Sequence, residues 1–130
     1  MKENIKYELE YTLNTTPKVL FSRLGYASGL SEWFADDVKV QDDIFTFFWE
    51  GSEQQAKMLD RKKNEYVQFK WLDDDEPDEE RYFEFRLSHE ELTGDLALII
   101  TDFADDEDEK ADNIELWDTQ IQTLRRILGL

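Results

Sequence analysis

The stretch NIELWDTQIQTLRRIL, Asn113 to Leu128, decides the fold. Ile114, Trp117, Ile121, Leu124 and Leu128 recur at steps of three and four, which draws one apolar stripe along a helix. Leu116 and Ile127 are expected to widen it. Asp112 and Glu115 have the spacing of a capping box, which places the helix start at Asp112. Arg125 and Arg126 fall in the last turn, where positive charge suits the helix dipole, and Gly129 stops the helix. A stripe of this length needs a large apolar surface to cover, and the rest of the chain supplies one.

Working back from the helix, the segments alternate with period two. Ile5, Tyr7, Leu9, Tyr11 and Leu13 point one way, with Lys6, Glu8, Glu10 and Thr12 opposite. Thr16 and Pro17 then fit the N-cap and first position of a short helix running to about Leu24, ended by Gly25. A second short helix is expected over Ser31–Phe34, with Ser31 as its cap. Six further strands follow: one through Val38 and Val40, one over Ile44–Trp49, then Glu53–Arg61, Tyr66–Leu72, Arg81–Leu87 and Leu96–Phe103. Asp42-Asp43 and Lys62-Lys63-Asn64 read as turns, and Asp73–Glu80 as a solvated hairpin loop. The fold class is α+β: one domain over residues 1–130, a curved antiparallel sheet of about seven strands around a long C-terminal helix.

Composition narrows the function. Asp plus Glu number 32 against 15 Lys plus Arg, a net charge of −17. That field repels phosphate backbones and anionic lipid headgroups, so neither nucleic acid nor a membrane is an expected partner, whereas a basic protein patch is attracted. The absence of cysteine excludes disulfides, thiolate metal sites and cysteine nucleophiles. Met1–Lys6 has no apolar run of the signal-peptide kind, and cytoplasmic location is the expectation.

The order of strand, two short helices, six strands and long helix resembles the helix-grip superfamily, also called START-like or SRPBCC. Within it the chain is most similar to the group related to activators of the ninety-kDa heat-shock chaperone ATPase. The likeness rests on Thr16–Phe21, on Leu30-Ser31-Glu32-Trp33-Phe34, on Val67-Gln68-Phe69-Lys70-Trp71, and on Leu98–Thr101 followed by an acidic loop and Trp117. It implies a space between sheet and helix that serves as a ligand cavity.

Chemistry-bearing residues are few. His89 is the sole histidine and sits at a strand end, where a solvated turn is expected rather than a catalytic pair with Glu90. Asp102, Asp105, Asp106 and Asp108 lack the spacing and distal glutamate of a calcium loop, so no metal or cofactor is expected. No catalytic residue or nucleotide-binding motif is visible. The expected cavity lining is aromatic: Trp33, Phe34, Phe45, Phe47, Trp49, Phe69, Trp71, Phe83, Phe85 and Trp117, with Ile121 from the helix. Those rings either leave a pocket or interlock and fill it. Tyr11, Thr46 and Thr101 are the polar groups expected to orient a ligand. The leading expectation is a non-catalytic domain for a small hydrophobic molecule. The alternative is an acidic protein-interaction module similar to the chaperone activators, and an enzyme of cyclase or hydrolase type ranks last. The chain is expected as a monomer or a homodimer, the latter through an exposed face at Ile44 and Phe48.

Overall fold

The computed structural model describes residues 4–72 and 81–130. The expected hairpin loop at 73–80 lies outside them. The chain runs β1 (Ile5–Thr12), α1 (Pro17–Ser22), α2 (Ala27–Leu30), β2 (Asp37–Gln41), β3 (Ile44–Trp49), β4 (Ser52–Lys62), β5 (Tyr66–Trp71), β6 (Phe83–His89), β7 (Leu96–Ala104) and α3 (Glu107–Leu128). The seven strands form one antiparallel sheet in the order β1-β7-β6-β5-β4-β3-β2. Strands adjacent in sequence pair with each other, except that β1 closes against β7, with Tyr7 opposite Asp102 and Leu9 opposite Ile100.

One face of the sheet is apolar. Phe45 and Phe47 of β3, Ala56 of β4, Val67 and Phe69 of β5, Phe83 and Phe85 of β6, and Leu98 and Ile100 of β7 are all buried on it. α3 lies across this face. Trp117, Ile121 and Leu124 are buried, and Ile114, Ile127 and Leu128 pack partly against the same cluster. Each fully buried side chain of this size contributes about 1.5–3 kcal/mol, so α3 and the sheet depend on each other. Leu116 does not widen the stripe as expected; it is 59% exposed. Its place on the helix turns it outward, beside the stripe rather than in it.

Three boundaries differ from the sequence reading. α3 begins at Asp106, whose carboxylate accepts from the Glu109 amide at 2.8 Å, not at Asp112. The second short helix covers Ala27–Leu30, and the expected Ser31–Phe34 span is a turn. Gly29 explains the shift: a Cβ there would meet the Ser22 carbonyl oxygen at 1.9 Å, so only glycine lets α2 close against the end of α1. α1 stops at Ser22, although Leu24 is still buried. The Thr16 cap holds, with its hydroxyl accepting from the Val19 amide at 3.2 Å.

β4 carries a bulge between Met58 and Asp60, which leaves Leu59 unpaired and 47% exposed. A bulge bends its strand and raises the local twist, which helps the sheet curl around α3. Past the bulge, Arg61 pairs with buried Val67, donates to the Gly25 carbonyl at 2.9 Å and lies 4.7 Å from the Tyr26 ring centroid. Among the described residues, no helix is long and apolar enough to cross a membrane.

Candidate functional site

Most of the space between sheet and helix is filled by rings. Phe34, from the turn after α2, sits at the centre. Its ring centroid lies 5.0 Å from Phe47, 5.5 Å from Trp33, 5.8 Å from Trp49 and Trp117, and 6.0 Å from Phe83 and Phe85. Phe69 stacks on Phe83 at 5.1 Å and meets Phe45 edge-on at 5.2 Å. Trp33, Phe45, Phe47, Phe69, Phe83, Phe85 and Ile121 are consequently buried in the packed core and lie outside the lining of the cleft described next. Edge-to-face and offset rings fill volume well, which closes the middle of the expected pocket.

A cleft of about 430 Å³ remains at one end, between the N-terminal half of α3 and the ends of β5 and β7. Phe34, Trp49, Trp71 and Trp117 line it, joined by Leu116, Phe103 and Gln120. The geometry of Phe34 is fixed through its backbone as well as its ring: its carbonyl accepts from Trp49 Nε1 and from Gln120 Nε2, each at 2.9 Å. Trp71 stacks on Phe83 at 4.8 Å, so the cleft wall is continuous with the core.

The polar end of the cleft is built on Asp102. Asp102 stands in the inward row of β7, after Leu96, Leu98 and Ile100. Its Oδ2 accepts from the Tyr7 hydroxyl at 3.0 Å and from Trp117 Nε1 at 3.1 Å. Burial pushes its carboxyl above the usual aspartate range, against the hydrogen bonds from the Phe103 amide, Trp117 and Tyr7. Burial and the neighbouring Asp102 charge likewise push the Tyr7 phenol up. Glu109, also in the lining, is raised by burial and by the charge of Asp105. Arg81 bridges to Asp105 and donates through Nε to Asn4 at 2.7 Å.

The polar groups expected from sequence lie elsewhere. Tyr11 donates to Asp118 at 2.6 Å outside the cleft, and Thr46 accepts from Gln55 at 3.2 Å. Thr101 is buried on the opposite, convex face of the sheet beside Glu84. There Glu84 accepts from Gln68 at 2.7 Å and from Arg86 at 3.1 Å. Burial alone would raise its carboxyl, but the hydrogen bonds from Arg86 and Gln68 more than reverse this and leave it low. His89 is exposed at the end of β6. Ile44 and Phe48 are half-buried on the convex face, with the Lys39 ammonium 5.4 Å from the Phe48 ring centroid. Asp102 and Asp105 serve the contacts above and Asp106 caps α3; no group of acidic or histidine side chains that could hold a metal occurs among the described residues.

The cleft is an aromatic slot with the Asp102 and Glu109 carboxylates in its lining. The START-like superfamily domain matches residues 1–130. A Bacteroides fragilis protein solved in solution is 42% identical over 100% of this chain and 94% of its own, with a TM-score of 0.67. The Aha1 dimer of Colwellia psychrerythraea is 16% identical over 92% of each chain, with a TM-score of 0.75. A Mesorhizobium loti protein is also 16% identical, over 96% of this chain and 97% of its own, at 0.76. The last two likenesses are of fold alone. A comparison with curated proteins finds no match. The whole-length family match, the closely similar Bacteroides structure and the sheet-around-helix architecture together place this chain in the START-like superfamily.

Proposed function

We propose that the chain is a non-catalytic binding domain for a small, largely apolar molecule held in the cleft beside the N-terminal half of α3. The observation that carries this reading is the cleft itself. Its volume of about 430 Å³ falls within the range of small-molecule sites, and Trp49, Trp71, Trp117, Phe34 and Phe103 give it an aromatic wall, with charged and amide side chains around the rest of its lining.

N-phenyl-1-naphthylamine, a neutral fluorophore that brightens in apolar sites, tests the reading. Its emission should rise on addition of the protein and tryptophan fluorescence should fall. Trp71→Ala should weaken binding about tenfold, the loss of one ring contact worth about 1–1.5 kcal/mol. Leu116→Trp, at an exposed position on the mouth, should obstruct entry without touching the core. Binding that neither substitution alters would place the probe elsewhere and defeat the proposal.

A second reading is an interaction module for a basic protein partner. It is supported by the exposed acidic residues Glu107, Asp108, Asp112 and Glu115 along α3 and by the fold shared with Aha1. Capture of such a partner should weaken as salt rises. Because the Colwellia protein was solved as a dimer, light scattering of the purified chain is the companion measurement.

A further inference from the structure

The cleft has a chemical bias that the binding reading does not by itself specify. Asp102 is the sole carboxylate in the inward row of β7, and it lies where the aromatic wall ends. Three donors reach it: Tyr7 and Trp117 on Oδ2, and the backbone amide of Phe103. A carboxylate offers about four lone-pair sites, so one acceptor position is left over. The carboxylate borders a space lined by Trp49, Trp71 and Trp117, whose ring faces carry negative potential and attract cations.

The lining of the cleft holds two cations, Lys70 and Arg81, and two carboxylates, Asp102 and Glu109, within a chain of net charge −17. Arg81 is the cation set against Asp102 and against Glu109, and it bridges directly to Asp105. Arg81 is thus already held by a carboxylate, Asp105. Lys70, in the lining, puts its ammonium on the Arg81 carbonyl at 3.0 Å, and Lys110 lies 5.9 Å from the Tyr7 ring centroid, outside the lining. An anionic ligand would compete with Asp105 for Arg81 inside a chain of net charge −17. A cation on Asp102 leaves the Arg81–Asp105 pair in place.

We propose that the cleft selects an organic cation, a protonated amine on an apolar body, with the amine on Asp102 and the body against Trp49, Trp71 and Trp117. This rests on the binding reading above and adds the charge of the ligand to it. The ion pair orients the molecule and the rings hold its body. A hydrogen bond to a charged group contributes about 1.5–3 kcal/mol, so the cation should bind at least about tenfold tighter than its neutral analogue.

The test uses three naphthalenes of one shape: 2-naphthylmethylamine, protonated at neutral pH, 2-naphthylmethanol and 2-naphthoate. Affinities come from calorimetry, and the tryptophan indole N–H resonances report the site. The amine should bind about tenfold tighter than the alcohol, with naphthoate weakest, and the gap should shrink in high salt. Asp102→Asn keeps an oxygen for Tyr7 and Trp117, removes the charge, and should bring the ratio of amine to alcohol affinity down to about one. Glu109→Gln, in the first turn of α3, should lower only the amine, by about twofold, and does not depend on Asp102→Asn folding. Equal binding of amine and alcohol, or tightest binding of naphthoate, overturns the charge selection and leaves the cleft as a binding site. Failure of all three to bind overturns both readings.

Discussion

Truncating Phe34 tests whether the ring cluster is the structural centre it forms in space. Phe34 is 4% exposed and has six aromatic neighbours with centroids between 5.0 and 6.0 Å. A buried Phe→Ala change costs about 3–5 kcal/mol, through lost transfer energy and the void left behind. Here one side of the ring already borders the cleft. The new void would merge with that space, water would enter it, and part of the cavity penalty would vanish. The lower end applies, about 3 kcal/mol, which for a chain of 130 residues lowers the melting temperature by roughly 10 °C. The Phe34 carbonyl, which anchors Trp49 and Gln120, survives the substitution, so the loss isolates the ring. Urea denaturation followed by far-ultraviolet circular dichroism measures it without relying on tryptophan emission. Leu116→Ala, at an exposed position on the same cleft, is the control and should cost under about 0.5 kcal/mol. A Phe34→Ala loss below about 1 kcal/mol, or one equal to the control, would refute the packed cluster.

Gly29→Ala should prevent folding or cost several kcal/mol, because its Cβ would strike the backbone of Ser22 and Arg23; thermal melting of the variant decides it. Glu84→Gln should cost about 1 kcal/mol at neutral pH through weaker bonds to Arg86 and Gln68, read by denaturant titration. Because the folded Glu84 carboxyl is depressed, its contribution is full above the ordinary glutamate pKa and lost as pH falls through the lower folded value; the variant should lack that acid-side loss. Asp102 has the opposite sign. Its folded pKa is raised, so the native state keeps the proton longer, and stability falls as pH climbs from the ordinary aspartate range through the folded value. The stability of Asp102→Asn measured against pH should show no such fall.

The sheet and the stripe on α3 were legible because period two and period 3.6 are written directly into side-chain polarity. The start of α3 was not, because its first turn is acidic and reads as loop. Yet Asp106 and Glu109 have the same three-residue spacing as the expected pair Asp112 and Glu115, so the signal was present twice. α2 was displaced because its position depends on the contact of Gly29 with Ser22, which sequence does not display. The bulge at Leu59 also escaped, since one extra residue reverses the alternation only relative to its partner strand.

For the site, Trp49, Trp71, Trp117 and Phe34 were named from sequence together with seven residues that became solid core. Periodicity tells which rings face inward; it does not tell which of them touch one another. Asp102 was read as the first member of an acidic run. Continuing the inward row from Leu96 through Ile100 would have placed it in the interior, where a lone carboxylate calls for a reason.

The pairing of β1 with β7 has a consequence for biosynthesis. Tyr7 and Asp102 are 95 residues apart in sequence, so β1 has no neighbour in the sheet until β7 has been translated. Its apolar row must wait at the ribosome while the hairpins from β2 to β6 assemble, and closing so long a loop is slow. A nascent chain stalled before Leu96 would carry a strand edge at β6 and an orphaned strand at β1, both open to pairing with other chains. Translation pauses ahead of β7 should therefore be the ones that send this protein to aggregates or to holding chaperones.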